Sequence, residues 1–362
     1  MKKILVISRE LYPYTYGGMA HHMYEVLKRV KKYEFIVLTT FDERRKNEEN
    51  IKFIQTKCPK INFLFIFSSM LHVINKEFDV IFGNALIGSV TALLIKIIKR
   101  KKMVAFIGDI DIILEKKVGL MKRLSRKIIF FFLFKFADRI LVLSNKVKND
   151  IIKFYNVSLE KIEITTSGVE HVDEDELKKI EEEGWVISVC GIKPNKGLEF
   201  AIEAMKSVVQ HFPNLKYYIV GSIVDKNYFN YLRKILLEYG LEKNVFFTGR
   251  VKNVKEYYGK CAVLLLASYH SEGFGLPVIE AGMMGKPVVA TKIFEDIGVV
   301  KNNINGMVVE QKNSKELGNA LIKLLKDREL RNKMGKKGRE FALKYTWENA
   351  AQCFMNTIEK VV

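Results

Sequence analysis

Residues 268–280 read SYHSEGFGLPVIE, and this stretch decides the fold. The five residues before it, VLLLA at 263–267, form an apolar run of the length of a buried strand. From residue 278 to residue 284 the apolar spacing is helical. The joint between strand and helix holds Gly273, Phe274, Gly275, Leu276 and Pro277. Glycines let the backbone approach a ligand closely, and Pro277 suits the first turn of a helix. The free N–H groups of such a helix start can bind phosphate. Glu272 stands before the joint, and Glu280 follows after seven intervening residues, one or two turns into the helix. A plain helix cap with two solvated carboxylates gives the same letters, so the stretch alone leaves both readings open.

A second joint of this kind lies upstream at 189–197, VCGIKPNKG. Lys193 and Lys196 flank a Pro-Asn turn, and Gly197 follows. Two ammonium groups there could clamp a diphosphate as point charges, or simply be solvated. In this half, strands are expected at 185–190, 217–220, 245–248, 263–267 and 288–291, with an all-helical end from about residue 314. The other half repeats the alternation, with strands at 4–8, 35–40, 80–83, 103–107, 139–144 and 162–166. Helices are expected between them, at 19–30, 87–99 and 118–136 among others. Strands alternating with helices mean βα units and parallel, doubly wound sheets. Residues 169–184 are acidic and lack an apolar period, and they read as a linker between domains at 1–168 and 185–345. Near the start, YGGMAHH at 16–22 places Gly17 and Gly18 at a helix opening, facing phosphate or merely turning. It is not G-x-G-x-x-G, so no dinucleotide site is indicated, and His21 and His22 read as surface residues.

Composition fits two globular domains: 362 residues, 48% hydrophobic and 28% charged. The net charge of +19 is uneven: +15 over 1–150, −5 over 151–200 and +9 over 201–362. A basic first half attracts anions: phosphorylated substrates, nucleic acid or an anionic membrane. Cys58, Cys190, Cys261 and Cys353 show no metal-ligand spacing and read as buried thiols suited to a reducing cytosol. The opening MKKILVIS is short for a signal peptide and fits a first strand, and no apolar run reaches the length of a spanning helix.

Together these features resemble the family-4 retaining glycosyltransferases of the GT-B fold, over nearly the whole chain. The E-x(7)-E stretch from Glu272 to Glu280 is the most specific match, followed by GKPVVAT at 285–291. Supporting matches are Gly17-Gly18, Ala137-Asp138 with Leu143-Ser144, Lys193/Lys196 with Gly197, Val220-Gly221, FTGRV at 247–251 and Thr346-Trp347-Glu348. The resemblance implies an α/β architecture of two Rossmann-like, doubly wound domains facing across a cleft. A last helix, from about residue 346 to 362, would cross back onto the first domain. It also implies transfer of a sugar from a nucleotide diphosphate sugar to an acceptor hydroxyl, with retention. Glu272 would contact the donor sugar from the reacting face, and Glu280 would hydrogen-bond the ribose. Lys193 and Lys196 would hold the diphosphate, with Gly17 and Gly18 approaching from the other domain. The backbone of Gly273, Phe274, Gly275 and Leu276 would touch sugar and phosphate, and Val251 would lie near the base. No metal and no cofactor beyond the nucleotide sugar are expected. Asp109 and Asp111 have D-x-D spacing but read as acceptor-side loop residues, with Asp109 a candidate catalytic group.

Three positions depart from the family pattern. Ile107 stands where many members place a histidine, in AFIGD at 105–109, which motivates the alternative of a non-catalytic nucleotide-sugar-binding protein. Lys193 replaces a common arginine, keeping charge and losing bidentate geometry. Ser167-Gly168-Val169-Glu170 replaces Asn-Gly-Val-Asp. On the acceptor side, KIIFFFLFKF at 127–136 lies in a segment, 96–148, with 15 Lys+Arg and 4 Asp+Glu. It reads either as a core helix or as a helix lying on an anionic bilayer, at the inner face of a cytoplasmic membrane. The latter would suit a lipid-linked glycan acceptor. No nucleic-acid motif stands out, and no specific nucleic-acid partner is expected.

Overall fold

The computed structural model describes residues 1–13, 18–57, 62–108, 120–178, 182–270 and 272–362. The chain forms two compact units, Met1–Gly168 with Thr346–Val362, and Val169–Tyr345.

The first unit runs β1 (Lys3–Ile7), α1 (Gly18–Arg29), β2 (Glu34–Thr40), β3 (Ile51–Thr56), α2 (Asn62–Val73) and β4 (Val80–Asn84). It continues through α3 (Ala85–Lys99), β5 (Lys102–Ile107), α4 (Leu120–Phe136), β6 (Arg139–Val142), α5 (Asn145–Tyr155) and β7 (Ile162–Ile164). Its seven strands are parallel in the order β3-β2-β1-β4-β5-β6-β7. Period-two alternation divides the strand side chains between two cores. Leu5, Ile7, Ile81 and Met103 pack under α2 to α5, through Phe65, Ala92, Phe134 and Ile151. Ile4, Val6, Phe82 and Val104 face the other way, onto Met23 of α1 and onto Phe354 and Ile358 of the chain's last helix. Right-handed crossovers require this split, because the chain reverses direction across the sheet between β3 and β4.

The second unit runs α6 (Glu174–Lys178), β8 (Trp185–Val189), α7 (Leu198–His211), β9 (Tyr217–Val220), α8 (Lys226–Glu238), β10 (Val245–Gly249) and α9 (Val254–Lys260). Then follow β11 (Cys261–Leu266), α10 (Leu276–Met283), β12 (Val288–Thr291), α11 (Lys292–Asp296), β13 (Gly306–Val309), α12 (Ser314–Lys326) and α13 (Arg328–Ala342). Its six parallel strands are ordered β10-β9-β8-β11-β12-β13. The last helix, α14 (Trp347–Glu359), belongs to the first unit. The fold is therefore α/β with two doubly wound parallel sheets. In each, the strand order reverses at one point, between β1 and β4 and between β8 and β11. Open α/β sheets bind ligands beyond the carboxyl ends of the strands at such points.

Several sequence expectations need correction. Strands β3 and β13 were not expected: each is an edge strand with one neighbour, and their sequences, IKFIQT and GMVV, are too polar or too short to stand out. The acidic segment at 169–184 is more structured than a bare linker. It holds α6, and Glu182 ion-pairs with Lys286 at 2.9 Å and Arg331 at 3.2 Å. His22 is buried, not on the surface, packed on Phe106 and Trp347, and burial lowers its pKa to about 3. Cys261 is buried, whereas Cys190 and Cys353 are only half-buried, and Cys58 lies outside the described residues.

Candidate active site

The reversal point of the second sheet brings two joints together, the turn after β8 and the turn after β11. Lys193 is extended, and Pro194–Lys196 form a single 3-10 turn behind it. Gly197 closes that turn at φ +62°, a left-handed conformation that favours glycine. A Cβ there would lie 2.2 Å from the carbonyl oxygen of Ala267, so the two turns touch through a glycine. The amide of Tyr269 donates to the carbonyl of Asn195 at 3.1 Å and ties them further.

Across this contact Lys196 Nζ reaches Glu272 Oε1 at 2.5 Å. Ser268 Oγ donates to the same oxygen at 2.6 Å. Both side chains of the ion pair are about five-sixths buried, at 16% and 15% exposure, so solvent screens them little. Glu272 Oε2 takes no hydrogen bond from the described residues. Among the described residues it is an acceptor oxygen held in place without a partner. Ser268 is itself fixed by Thr291, whose Oγ1 donates to the Ser268 carbonyl at 2.5 Å.

Gly275 caps α10 at φ +77°, and a Cβ there would meet Val299 at 2.8 Å. Gly275 has no side chain with which to cap this helix, so its first amides have no side-chain acceptor at the cap, as an anion site needs. Phe274 is buried against Tyr345, its ring edge-on at 5.6 Å, so its backbone rather than its ring is the group on offer. Glu280, the fifth residue of α10, accepts from Tyr258 Oη at 2.6 Å through Oε2. Its side chain keeps an open edge, yet the surrounding protein displaces most water, and desolvation pushes its pKa up to about 7 against the pull of the Tyr258 bond. Like Glu272, it is a carboxylate with one oxygen anchored. Val251, half-buried, follows the end of β10.

The structure thus gathers Lys196, Gly197 and Glu272, with Lys193 one turn away, and sets Gly273, Gly275, Leu276 and Glu280 along the following helix start. Gly18 opens α1 in the other unit, while Gly17, Asp109 and Asp111 lie outside the described residues. Ile107 ends β5 and is buried in the core under α2 to α5. Sequence reasoning missed Ser268 and Tyr258. Ser268 stood inside the quoted stretch but was given no role there, and Tyr258 comes from a separate helix with no local signal.

Residues 170–341 match the family described as "Glycosyl transferases group 1", and residues 16–172 match "Glycosyltransferase Family 4". An uncharacterized glycosyltransferase of Methanocaldococcus jannaschii is 25% identical over 97% of this chain and 96% of its own. Poly(glycerol-phosphate) alpha-glucosyltransferase of Bacillus subtilis is 36% identical over 42% of this chain and 22% of its own. Among solved structures, Anabaena HepE in complex with UDP and glucose superposes with a TM-score of 0.83 at 19% identity, covering 99% of this chain and 100% of that one. Sucrose-phosphate synthase of Thermosynechococcus elongatus also gives 0.83, at 18% identity and 99% coverage of both chains.

Proposed function

We propose, for a chain that belongs to the family-4 glycosyltransferases of the GT-B fold, that it moves a hexose from a nucleotide diphosphate sugar to a hydroxyl of a glycan or lipid-linked glycan, with retention. The observation that carries this reading is the pair of anchored carboxylates, Glu272 and Glu280, flanking a helix start and the Lys193/Lys196 turn. An open carboxylate oxygen accepts from a hydroxyl. Glu272 Oε2 takes a sugar hydroxyl, and Glu280 Oε1 takes the ribose. The diphosphate lies between them, against the ammonium groups and the amides after Gly275. As the sugar–phosphate bond breaks, negative charge develops on the leaving diphosphate. Fixed cations and amide dipoles stabilise that charge without reorganising. These groups neutralise the leaving group without a metal ion, and the departing phosphate oxygen takes the acceptor proton.

We place the protein in the cytoplasm, at the inner face of the membrane if its acceptor is lipid-linked. The test is a panel of nucleotide sugars, scored by release of nucleoside diphosphate, with Glu272→Ala as control. Release from one donor, lost in the variant, supports transfer. A second reading, binding without catalysis, draws on Ile107, an aliphatic side chain with no proton to exchange. It would appear as donor-dependent thermal stabilisation with no release under any acceptor.

A further inference from the structure

We infer that the layer of α2, α3 and α4 is a docking surface for an anionic lipid bilayer. Together with α5 these three helices cover one face of the first sheet, and their inward residues are core. Many of their outward residues are apolar as well. Phe63 is 72% exposed, Phe67 55%, Ile97 64%, Ile98 54%, Phe131 47% and Phe132 46%, spread over all three helices. Soluble surfaces scatter single apolar side chains, but a run across three neighbouring helices calls for an occupant. The occupant is argued from charge. The 44 residues of α2, α3 and α4 contain seven Lys or Arg and no Asp or Glu. Three further basic residues, Arg100, Lys101 and Lys102, follow α3 directly.

The two chemistries meet in one place. Between α3 and the end of α4 lies a cavity of about 370 Å³, lined by Lys96, Ile97, Arg100, Lys101, Lys102 and Phe136, with Asp138 at its edge. Asp138 pairs with Lys96 and Lys102, and these bonds hold its carboxyl below the usual range despite burial. Among the described residues no carboxylate pairs with Arg100 or Lys101. A phosphate headgroup fits there while Ile97, Phe132 and Phe136 enter the acyl boundary. A second, wholly apolar groove of about 130 Å³ runs between α2 and α3, lined by Phe67, Leu71, Ile74 and Ile98 among others. Among the described residues no helix is long and apolar enough to cross a membrane, so the helices lie along the surface. A protein partner of matching acidity is the competing occupant. The absence of any acid from three apolar helices favours lipid, because protein interfaces ring their apolar centre with both polar and charged groups.

This inference extends the proposed lipid-linked acceptor, and its test uses neither donor nor acceptor, so either can fail alone. The full chain is mixed with vesicles of phosphatidylcholine, with or without phosphatidylglycerol, and separated by flotation. Binding is expected only with phosphatidylglycerol, and it should fall as salt rises. Each basic residue near the surface contributes about fivefold, so Arg100→Gln with Lys101→Gln should cost about thirtyfold in partitioning. Phe131→Ser with Phe132→Ser should weaken binding even at low salt. Circular dichroism melting shows whether these exposed-site variants remain folded. No flotation at low salt would overturn the inference. So would equal binding to neutral vesicles, binding indifferent to both pairs of changes, or a stable dimer formed through this face that excludes vesicles.

Discussion

Replacing Gly197 by alanine should damage the site more than the same change at a glycine of equal conformation. Gly197 has φ +62° and Gly240 has φ +66°, both left-handed. An L-residue in that region costs about 1–2 kcal/mol, so this part is shared. The surroundings differ. At Gly240 an added Cβ meets nothing within 4 Å, whereas at Gly197 it meets the Ala267 carbonyl oxygen at 2.2 Å. That carbonyl must retreat by about 1 Å to restore an ordinary carbon–oxygen separation. Overpacking of this kind costs about 1–3 kcal/mol more. For a unit of this size, about 2–4 °C of melting temperature is lost per kcal/mol, so Gly197→Ala should melt about 2–12 °C below Gly240→Ala. Ala267 precedes Ser268 and Glu272, so the retreat also pulls Glu272 away from Lys196. A misplacement of about 1 Å can cost about 100-fold in turnover. Thermal melting and nucleoside diphosphate release, measured on both variants side by side, check both parts. Equal melting temperatures and equal release would refute the reasoning.

Lys196→Gln should lower turnover by about 10²–10³-fold, the cost of removing one preorganised group facing developing charge, and steady-state kinetics with the working donor measure it. Glu280 has a pKa pushed up to about 7, so the folded protein binds a proton that the unfolded chain releases between pH 4.5 and 7. Stability from this group therefore falls as pH rises through that window, and Glu280→Gln should stabilise the free protein at pH 8, by at most about 3 kcal/mol, while weakening donor binding. Denaturant melts at pH 5 and pH 8 read the difference, which should nearly vanish at the lower pH. His22 has the opposite sign. Held neutral with a pKa of about 3, it binds fewer protons folded than unfolded below pH 6.5, so stability is lost as pH falls from 6.5 toward 3. His22→Phe should flatten that acid limb in pH-dependent melting.

Much of the fold was legible because central strands are apolar on both faces, and runs such as VLLLA at 263–267 stand out against polar turns. The edge strands β3 and β13 were not legible, since IKFIQT is interrupted by polar residues and GMVV is short. At the site, Glu272 and Glu280 were visible because a glycine turn between a strand and a helix leaves a local signature. Their supports were not. Tyr258 reaches Glu280 from α9, 22 positions away, and the contact of Gly197 with Ala267 joins turns that only the parallel pairing of β8 with β11 brings side by side. His22 was misread for the same reason, because its burial is set by Phe106 and Trp347, which are remote in sequence.

The proposed function requires the second unit to hold the donor between its two anchored carboxylates. A crystal structure of the protein with the nucleoside diphosphate released in the donor panel tests it directly. The diphosphate should lie within hydrogen-bond reach of Lys193 or Lys196 Nζ and of the amides following Gly275, with a ribose hydroxyl on Glu280 Oε1. A nucleotide seated elsewhere, with Glu280 bonded to Tyr258 alone, would contradict it.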